Sequence, residues 1–134
     1  MGRTLAARMC VLPTAFLLLI AGYSPVSAEY VLELPILAAV KSNGLGVFEV
    51  LVLHWDHKAD PVPATLQWRV GNVVLGTTHV SSMAMAFRYA MERTPDVHHS
   101  GTVTAIGLAY MPTGSDGPSA GAAMAVGFMG LFKG

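Results

Sequence analysis

The sequence predicts a single α/β domain in which helices pack on a mixed sheet. Apolar, strand-like runs alternate along the chain with helix-like segments, which gives the element order ββ(β)αβα. The chain is 53% hydrophobic and 12% charged, enough for a packed core. We find no internal repeat, low-complexity tract or interdomain linker, so one domain follows a short leader.

Residues 1–28 have the organisation of a secretory signal peptide. Arg3 and Arg8 precede an apolar stretch, Met9–Ile20, and small residues end the segment at Ala28, after which cleavage is predicted. Export to the periplasm or the extracellular space is therefore expected. An uncleaved membrane anchor through residues 9–22 is the alternative, although this stretch is shorter than the roughly 20 residues that a span requires, and Pro13 interrupts it.

The leader contains Cys10, the only cysteine of the chain, so the predicted mature domain, residues 29–134, has no disulfide. Without Arg3 and Arg8 that domain is slightly acidic, and no basic patch for nucleic acid remains.

The first elements are predicted to form a β-hairpin. Val31–Val40 is an apolar run containing Pro35, which suits an edge strand, and Lys41–Gly44 is a turn signal. Gly46–Trp55 is the expected partner strand. Its apolar residues are nearly continuous from Val47 to Leu53, interrupted only by Glu49, which predicts burial on both faces.

The middle of the chain is predicted to change from strand to helix. Thr65–Leu75 indicates one bent strand or a short hairpin, and Ser81 or Ser82 is expected to cap a helix that ends at Pro95. One face of this helix is apolar and the other charged, through Met83, Phe87, Ala90 and Met91 against Arg88 and Glu92.

A strand over Gly101–Tyr110, a turn over Met111–Gly117 and a helix starting at Pro118 complete the pattern. The last helix lacks a polar face and is expected to be buried. Its glycines, Gly121, Gly127 and Gly130, predict close packing against the sheet.

The glycine-rich run Gly114–Gly121 places one serine, Ser119, at the predicted start of this helix. Unpaired amides and the positive end of the helix dipole favour negative charge there, such as the charge that develops on an attacked carbonyl oxygen. Ser119 is therefore the candidate nucleophile.

Within this run, Asp116–Gly121 reads Asp-Gly-Pro-Ser-Ala-Gly. This segment resembles the active-site signature of Lon-type serine peptidases without a mismatch, and a weaker resemblance extends upstream to residue 31. The resemblance implies a Lon proteolytic domain (ribosomal S5 domain 2-like fold) and a serine endopeptidase with Ser119 as nucleophile, acting on a polypeptide substrate. It leaves a homo-oligomer open and requires no cofactor.

The resemblance also implies a serine and lysine dyad, with the lysine supplied several tens of residues after the serine. Lys133 would lie about 20 Å from Ser119 along a continuous helix. Lys41 and Lys58 do not match the family position. We therefore expect the lysine beyond Gly134 and interpret the chain as the N-terminal part of a longer domain, inactive by itself.

Asp116 is assigned to the site with three open roles: capping the serine helix, shaping the turn, or accepting a hydrogen bond from the lysine. Gly117 gives backbone freedom. The expected turn and oxyanion-binding residues are Gly117, Ala120 and Gly121. The chain departs from typical Lon proteins at Ser115, where lysine is frequent, and at two positions where histidines are frequent, Ala105 and Gly107.

Other site classes are less well supported. His54, Asp56 and His57 do not converge on an extended strand, and His98–His99 lie in a loop, so we predict no metal site. His79, near a helix start, is expected to bond local backbone. Two alternative functions remain: a secreted binding module on the same scaffold, and a phosphate-binding enzyme resembling the GHMP kinases, although no Walker loop is present.

Overall fold

A computed structural model describes residues 27–39, 46–69 and 71–134 and confirms the predicted α/β class. The predicted leader falls outside these residues up to position 26. In chain order the elements are β1 (Ala28–Ala39), β2 (Gly46–His57), β3 (Thr65–Arg69), β4 (Val73–Leu75), α1 (Thr77–Arg93), β5 (Thr102–Ala109), β6 (Thr113–Ser115) and α2 (Gly121–Lys133). The order is ββββαββα, with two short strands beyond the predicted set.

Two sheets organise these strands. The larger has the order β1-β2-β5-β3, in which β1, β2 and β5 pair antiparallel and β3 pairs with β5 in parallel. The smaller consists of β4 and β6 in parallel. The predicted hairpin is confirmed by the pairing of β1 with β2, and Pro35 lies on an edge strand as expected.

The prediction that β2 is buried on both faces is wrong. Its side chains alternate, and those directed toward the helices are buried while Phe48 on the other face is 59% exposed. Both helices cover the same face of the sheet, so the outer face has no layer over it within the described residues. Glu49 does not interrupt the buried face but belongs to it, together with Leu51, Leu53 and Trp55.

The segment Thr65–Leu75 is neither one bent strand nor a hairpin, because β3 and β4 belong to different sheets. The side chain of Asn72 explains the division. Its amide nitrogen donates to the Ala109 carbonyl at 2.5 Å, and its oxygen accepts from the Ala109 amide at 2.8 Å. This side chain takes a strand's place beside the end of β5, and the chain leaves the main sheet there.

Helix α1 begins at Thr77, earlier than the predicted caps Ser81 and Ser82, which lie inside it. Its two faces are as predicted: Met83, Phe87 and Ala90 are buried, Met91 is partly buried, and Arg88 and Glu92 are exposed. The helix ends at Arg93, just before Thr94 and Pro95, which confirms the predicted end.

Helix α2 begins at Gly121, three residues after the predicted start at Pro118. Burial all round it is also wrong, since Val126 is 63% exposed. Its inner face joins α1 and the sheet through an aromatic cluster of Trp55, Phe87, Phe128 and Phe132. The contacts of Ser82 with Gly121 and of Phe87 with Phe128 show that the two helices run side by side in the same direction.

The three helical glycines of α2 have different surroundings. A Cβ at Gly127 would lie 3.0 Å from Leu34 Cδ2 and 3.5 Å from Leu53 Cδ1, so here the helix backbone packs closely on the sheet, as predicted. At Gly121 the neighbour is Ser82 of α1. Gly130 has nothing within 4 Å of the corresponding position.

These surroundings predict opposite effects of substitution at two glycines of one helix. Gly127→Leu should lower the free energy of unfolding by about 1–3 kcal/mol through overpacking against the sheet. Gly130→Leu, the matched control, should raise it by up to about 1 kcal/mol because leucine has a higher helix propensity than glycine. Urea unfolding measures both, and equal effects at the two positions would contradict this packing.

Candidate active site

The Asp116–Gly121 segment connects β6 to α2 and forms a turn at one end of the molecule. The Gly121 amide donates to the Pro118 carbonyl at 3.0 Å, and this bond closes the turn around Ser119. Ser119 is exposed and lies directly before Ala120, the N-cap residue of α2. No hydrogen bond joins its hydroxyl to another described residue. The predicted nucleophile is thus at the surface, although it precedes the helix.

Asp116 caps a helix, but not the one predicted. Its Oδ1 accepts from the His79 amide at 3.1 Å, in the first turn of α1, and from the Gly117 amide at 2.9 Å. The cap residue of α1 is Gly76, whose side chain makes no bond. A Cβ at position 76 would collide with the Asp116 carboxyl group, so the missing side chain lets this carboxylate approach the helix end.

Helix α1 contacts the turn at two further points. The Gly76 amide donates to the Ser115 carbonyl at 2.8 Å, and the Ser82 hydroxyl donates to the Pro118 carbonyl at 3.4 Å. Ser115 is buried at the end of β6. The first two turns of α1 therefore hold the backbone on both sides of Asp116.

Gly117 has a φ of +123°, a conformation that side-chain-bearing residues rarely adopt. This agrees with the predicted need for backbone freedom beside the nucleophile. However, the Gly117 amide already donates to Asp116 Oδ1, so it stabilises the turn and is not available to bind an oxyanion.

Of the three residues predicted to bind an oxyanion, two have backbone amides that are already occupied. The amides of Gly117 and Gly121 already donate, to Asp116 and Pro118. The amides of Ser119 and Ala120 donate to no other described residue. Any oxyanion at this turn would therefore find its donors at Ser119 and Ala120, at the positive end of α2.

Neither described lysine lies near Ser119. Helix α2 is continuous over 13 residues, about 20 Å, which places Lys133 at its opposite end. Trp55 packs on Phe132 at a ring distance of 5.1 Å, so Lys58, which follows β2, also lies at that opposite end. The Lys58 ammonium is 3.6 Å from the Asp56 carboxylate. Lys41 falls outside the described residues.

Two polar residues that sequence analysis did not assign to the site are buried close to it. Glu49 and His79 are each 3% exposed, and Glu49 Oε1 and His79 Nε2 have no hydrogen-bond partner within the described part of the chain. Burial lowers the pKa of His79, and the nearby negative charges of Glu49 and Asp116 partly oppose that shift. A lone acidic residue in an apolar strand run was the signal available at Glu49.

Three other histidines, His57, His98 and His99, make hydrogen bonds that connect neighbouring loops and strand ends. His57 Nε2 is 3.1 Å from the His98 carbonyl, and His98 Nε2 is 2.7 Å from the Asp60 carbonyl. His99 Nε2 is 2.6 Å from Thr94 Oγ1, and burial lowers the pKa of His99. Among the residues that the structure covers, no three metal-ligating side chains group together.

An apolar pocket of about 300 Å³ lies beside β4. It is lined by Trp68, Arg69, Val73, Val74, Leu75 and Val80. The strand β4 pairs with β6, and β6 ends four residues before the candidate nucleophile, Ser119.

No protein-family model matches the chain, and no curated protein matches it. Among solved structures the chain is similar to the protein ttk003000868 from Thermus thermophilus, at 12% sequence identity and a TM-score of 0.38. The match covers 78% of this chain and 16% of that protein. Of the helices in the described ranges, none has the length and apolar character of a membrane span.

The capping geometry predicts how Asp116 contributes to stability. Asp116→Ala should lower the free energy of unfolding by about 1 kcal/mol and reduce hydrogen-exchange protection of the His79 amide, because α1 loses its acceptor. Asp116→Asn, which retains a side-chain oxygen, should lose less. Ser81→Ala is the control, because Ser81 is exposed within α1, and an equal loss there would argue against the cap.

The lowered pKa of His79 predicts a pH dependence of stability. Below about pH 6.5 the unfolded chain binds a proton that folded His79 does not, so the melting temperature should fall on acidification. His79→Asn should reduce this fall. Part of it should remain, because the pKa of His99 is also lowered. Melting curves from pH 7.5 to 5 measure the effect, and an unchanged slope in the variant would contradict the assignment.

Proposed function

We propose that this protein is a serine endopeptidase of the Lon-like type, with Ser119 as nucleophile. The observation that carries this proposal is the exposed Ser119 hydroxyl in the Asp-Gly-Pro-Ser-Ala-Gly turn, directly before α2. A catalytic serine must reach the substrate carbonyl from a rigid support. The bonds from α1 and Asp116 supply that support.

The surroundings of Ser119 suit the charge that acyl transfer creates. Attack on a peptide carbonyl places negative charge on its oxygen, and the amides of Ser119 and Ala120 can donate to it. These amides lie at the start of α2, where the helix dipole also favours an anion. Removing a single such donor in other serine peptidases lowers kcat by about 100- to 1,000-fold.

The substrate of this proposal is an extended or unfolded polypeptide. The pocket beside β4 is mostly apolar, and its volume of about 300 Å³ accommodates a large apolar side chain. Arg69 at the same pocket adds a positive charge. A chain bound with its scissile carbonyl at Ser119 can place a residue several positions away in this pocket, since each extended residue spans about 3.3 Å.

The Lon resemblance implies a lysine as the base, and the distant positions of Lys58 and Lys133 leave that role to a lysine outside the described residues. Export, predicted from residues 1–28, would separate the protein from cytoplasmic ATP. An energy-independent peptidase acting on loosely folded chains agrees with that location.

Covalent labelling tests the nucleophile. A fluorophosphonate probe should modify Ser119, as identified by tandem mass spectrometry, and Ser119→Ala should abolish the adduct. Ser81→Ala, a change at another exposed serine, should leave it intact. An unreactive Ser119 in a folded protein would instead favour a binding module, and a melting temperature raised by millimolar ATP would favour the phosphate-binding alternative.

A further inference from the structure

Strand β3 forms an open edge of the larger sheet. In the order β1-β2-β5-β3 it has one neighbour, and β4, the next strand along the chain, pairs elsewhere. The Thr65 amide donates to the Gly101 carbonyl at 3.1 Å, on the β5 side. Because successive residues of a strand direct their backbone groups to opposite sides, the amides and carbonyls of Leu66 and Trp68 point away from β5. No hydrogen bond occupies them within the part of the chain that the structure describes.

An apolar groove runs beside this edge, between β3 and α1. It consists of two adjoining pockets that share Trp68 and Val80 and have volumes of about 300 and 160 Å³. The larger pocket lies at the end of β3, where Arg69 and the strand β4 complete its lining. The smaller pocket extends along α1 to Leu66. Side chains at alternate positions of a strand added to β3 would enter these two pockets, since such side chains lie on one face.

Arg69 gives this groove a positive charge at one end. Among the described residues it is the only charged one that lines either pocket. Its side chain is exposed and forms no ion pair with a carboxylate of the described residues. A guanidinium can donate two parallel hydrogen bonds to one carboxylate. The larger pocket thus combines an apolar volume with a carboxylate-binding group, and the C-terminal residue of a polypeptide supplies both complementary parts within one residue.

We propose that this groove binds the C-terminal end of a polypeptide as an extended strand parallel to β3. The last side chain occupies the larger pocket opposite Trp68, and its carboxylate contacts Arg69. The third residue from the end occupies the smaller pocket, beside Leu66. The penultimate residue lies opposite Gln67, so its amide donates to the Leu66 carbonyl and its carbonyl accepts from the Trp68 amide. Strand addition supplies affinity through these bonds, and the pockets supply specificity.

Binding at this groove goes beyond the proposed function, because a chain end held there requires no reaction at Ser119. The Ser119 turn contributes no residue to either pocket. The proposal is therefore testable in the full chain carrying Ser119→Ala, which cannot consume a peptide through the proposed nucleophile.

Peptide binding to this Ser119→Ala protein tests recognition of the chain end. The probe is a pentapeptide that ends in valine, threonine and phenylalanine, with fluorescein at its N-terminus and a free C-terminal carboxyl group. Fluorescence anisotropy measures its Kd. Replacing the carboxyl group with a carboxamide should raise the Kd at least about 10-fold, because a charge-assisted hydrogen bond is lost.

Substitution of the arginine tests the same contact from the protein side. Arg69→Gln should raise the Kd of the free-carboxyl peptide by a similar factor. In that variant the carboxamide should have little further effect, because both changes remove one interaction. Arg88→Gln, at another exposed arginine, is the control and should leave the Kd unchanged.

Methylation of the peptide backbone tests the strand pairing. N-methylation of the penultimate threonine blocks the amide that donates to Leu66 and should raise the Kd at least about 5-fold. N-methylation of the valine is the matched control, because that amide points away from β3. Trp68 should report binding by a change in fluorescence with the same midpoint, and Trp68→Phe should remove that change while the peptide still binds.

The outcomes distinguish the parts of this inference. Binding that requires the threonine amide but neither the carboxyl group nor Arg69 would overturn recognition of the chain end. Equal effects of the two N-methyl groups, or no saturable binding to a protein whose fold circular dichroism verifies, would overturn the groove itself. A dimer in sedimentation that persists at saturating peptide would show that a second copy occupies the edge instead. Ser119 labelling is independent of all these results, so this inference and the proposed function fail separately.

Discussion

One carboxylate connects the parts of this molecule on which its candidate site depends. Asp116 accepts from the amide of His79, 37 residues earlier in the chain, and from the amide of its neighbour Gly117. The first bond satisfies an amide at the start of α1 that has no partner within the helix. The second bends the chain into the Ser119 turn. The same carboxylate therefore takes part both in the cap of α1 and in the Ser119 turn.

This connection determines which groups surround Ser119. Because α1 begins beside the turn, its first residues contact the segment that carries Ser119, through the His79 amide and the Ser82 hydroxyl. Glu49 reaches the same region from the sheet because β2 directs alternate side chains toward the helices. Three elements that are distant in sequence, α1, β2 and the Ser119 turn, thus bring polar groups together beside the apolar core.

Much of the fold follows from local patterns. The β1 and β2 hairpin, the strand β5 and the two faces of α1 were predictable because alternation and helical spacing are properties of consecutive residues. The start of α1 was not predictable in this way. Its cap comes from Asp116, and Gly76, which makes room for that carboxylate, carries no capping side chain of its own.

Long-range polar contacts account for the other differences. The division of β3 from β4 depends on the side chain of Asn72 meeting the backbone of Ala109, a pairing that turn composition alone does not reveal. The burial of Glu49 depends on which face of β2 the helices cover. Ser119 could be selected as a candidate from the sequence because its motif is contiguous. The proximity of Glu49 and His79 exists only in the folded chain.

The common direction of α1 and α2 has an electrostatic consequence. Two neighbouring helices that run in opposite directions cancel much of each other's dipole, but here the two macrodipoles add. Their positive ends meet at the Ser119 turn and their negative ends near Trp55 and Phe132. The whole chain has a formal net charge of zero, yet its fold gives the molecule a permanent polarity. An approaching anion is therefore drawn to the end of the molecule at which the two helices begin.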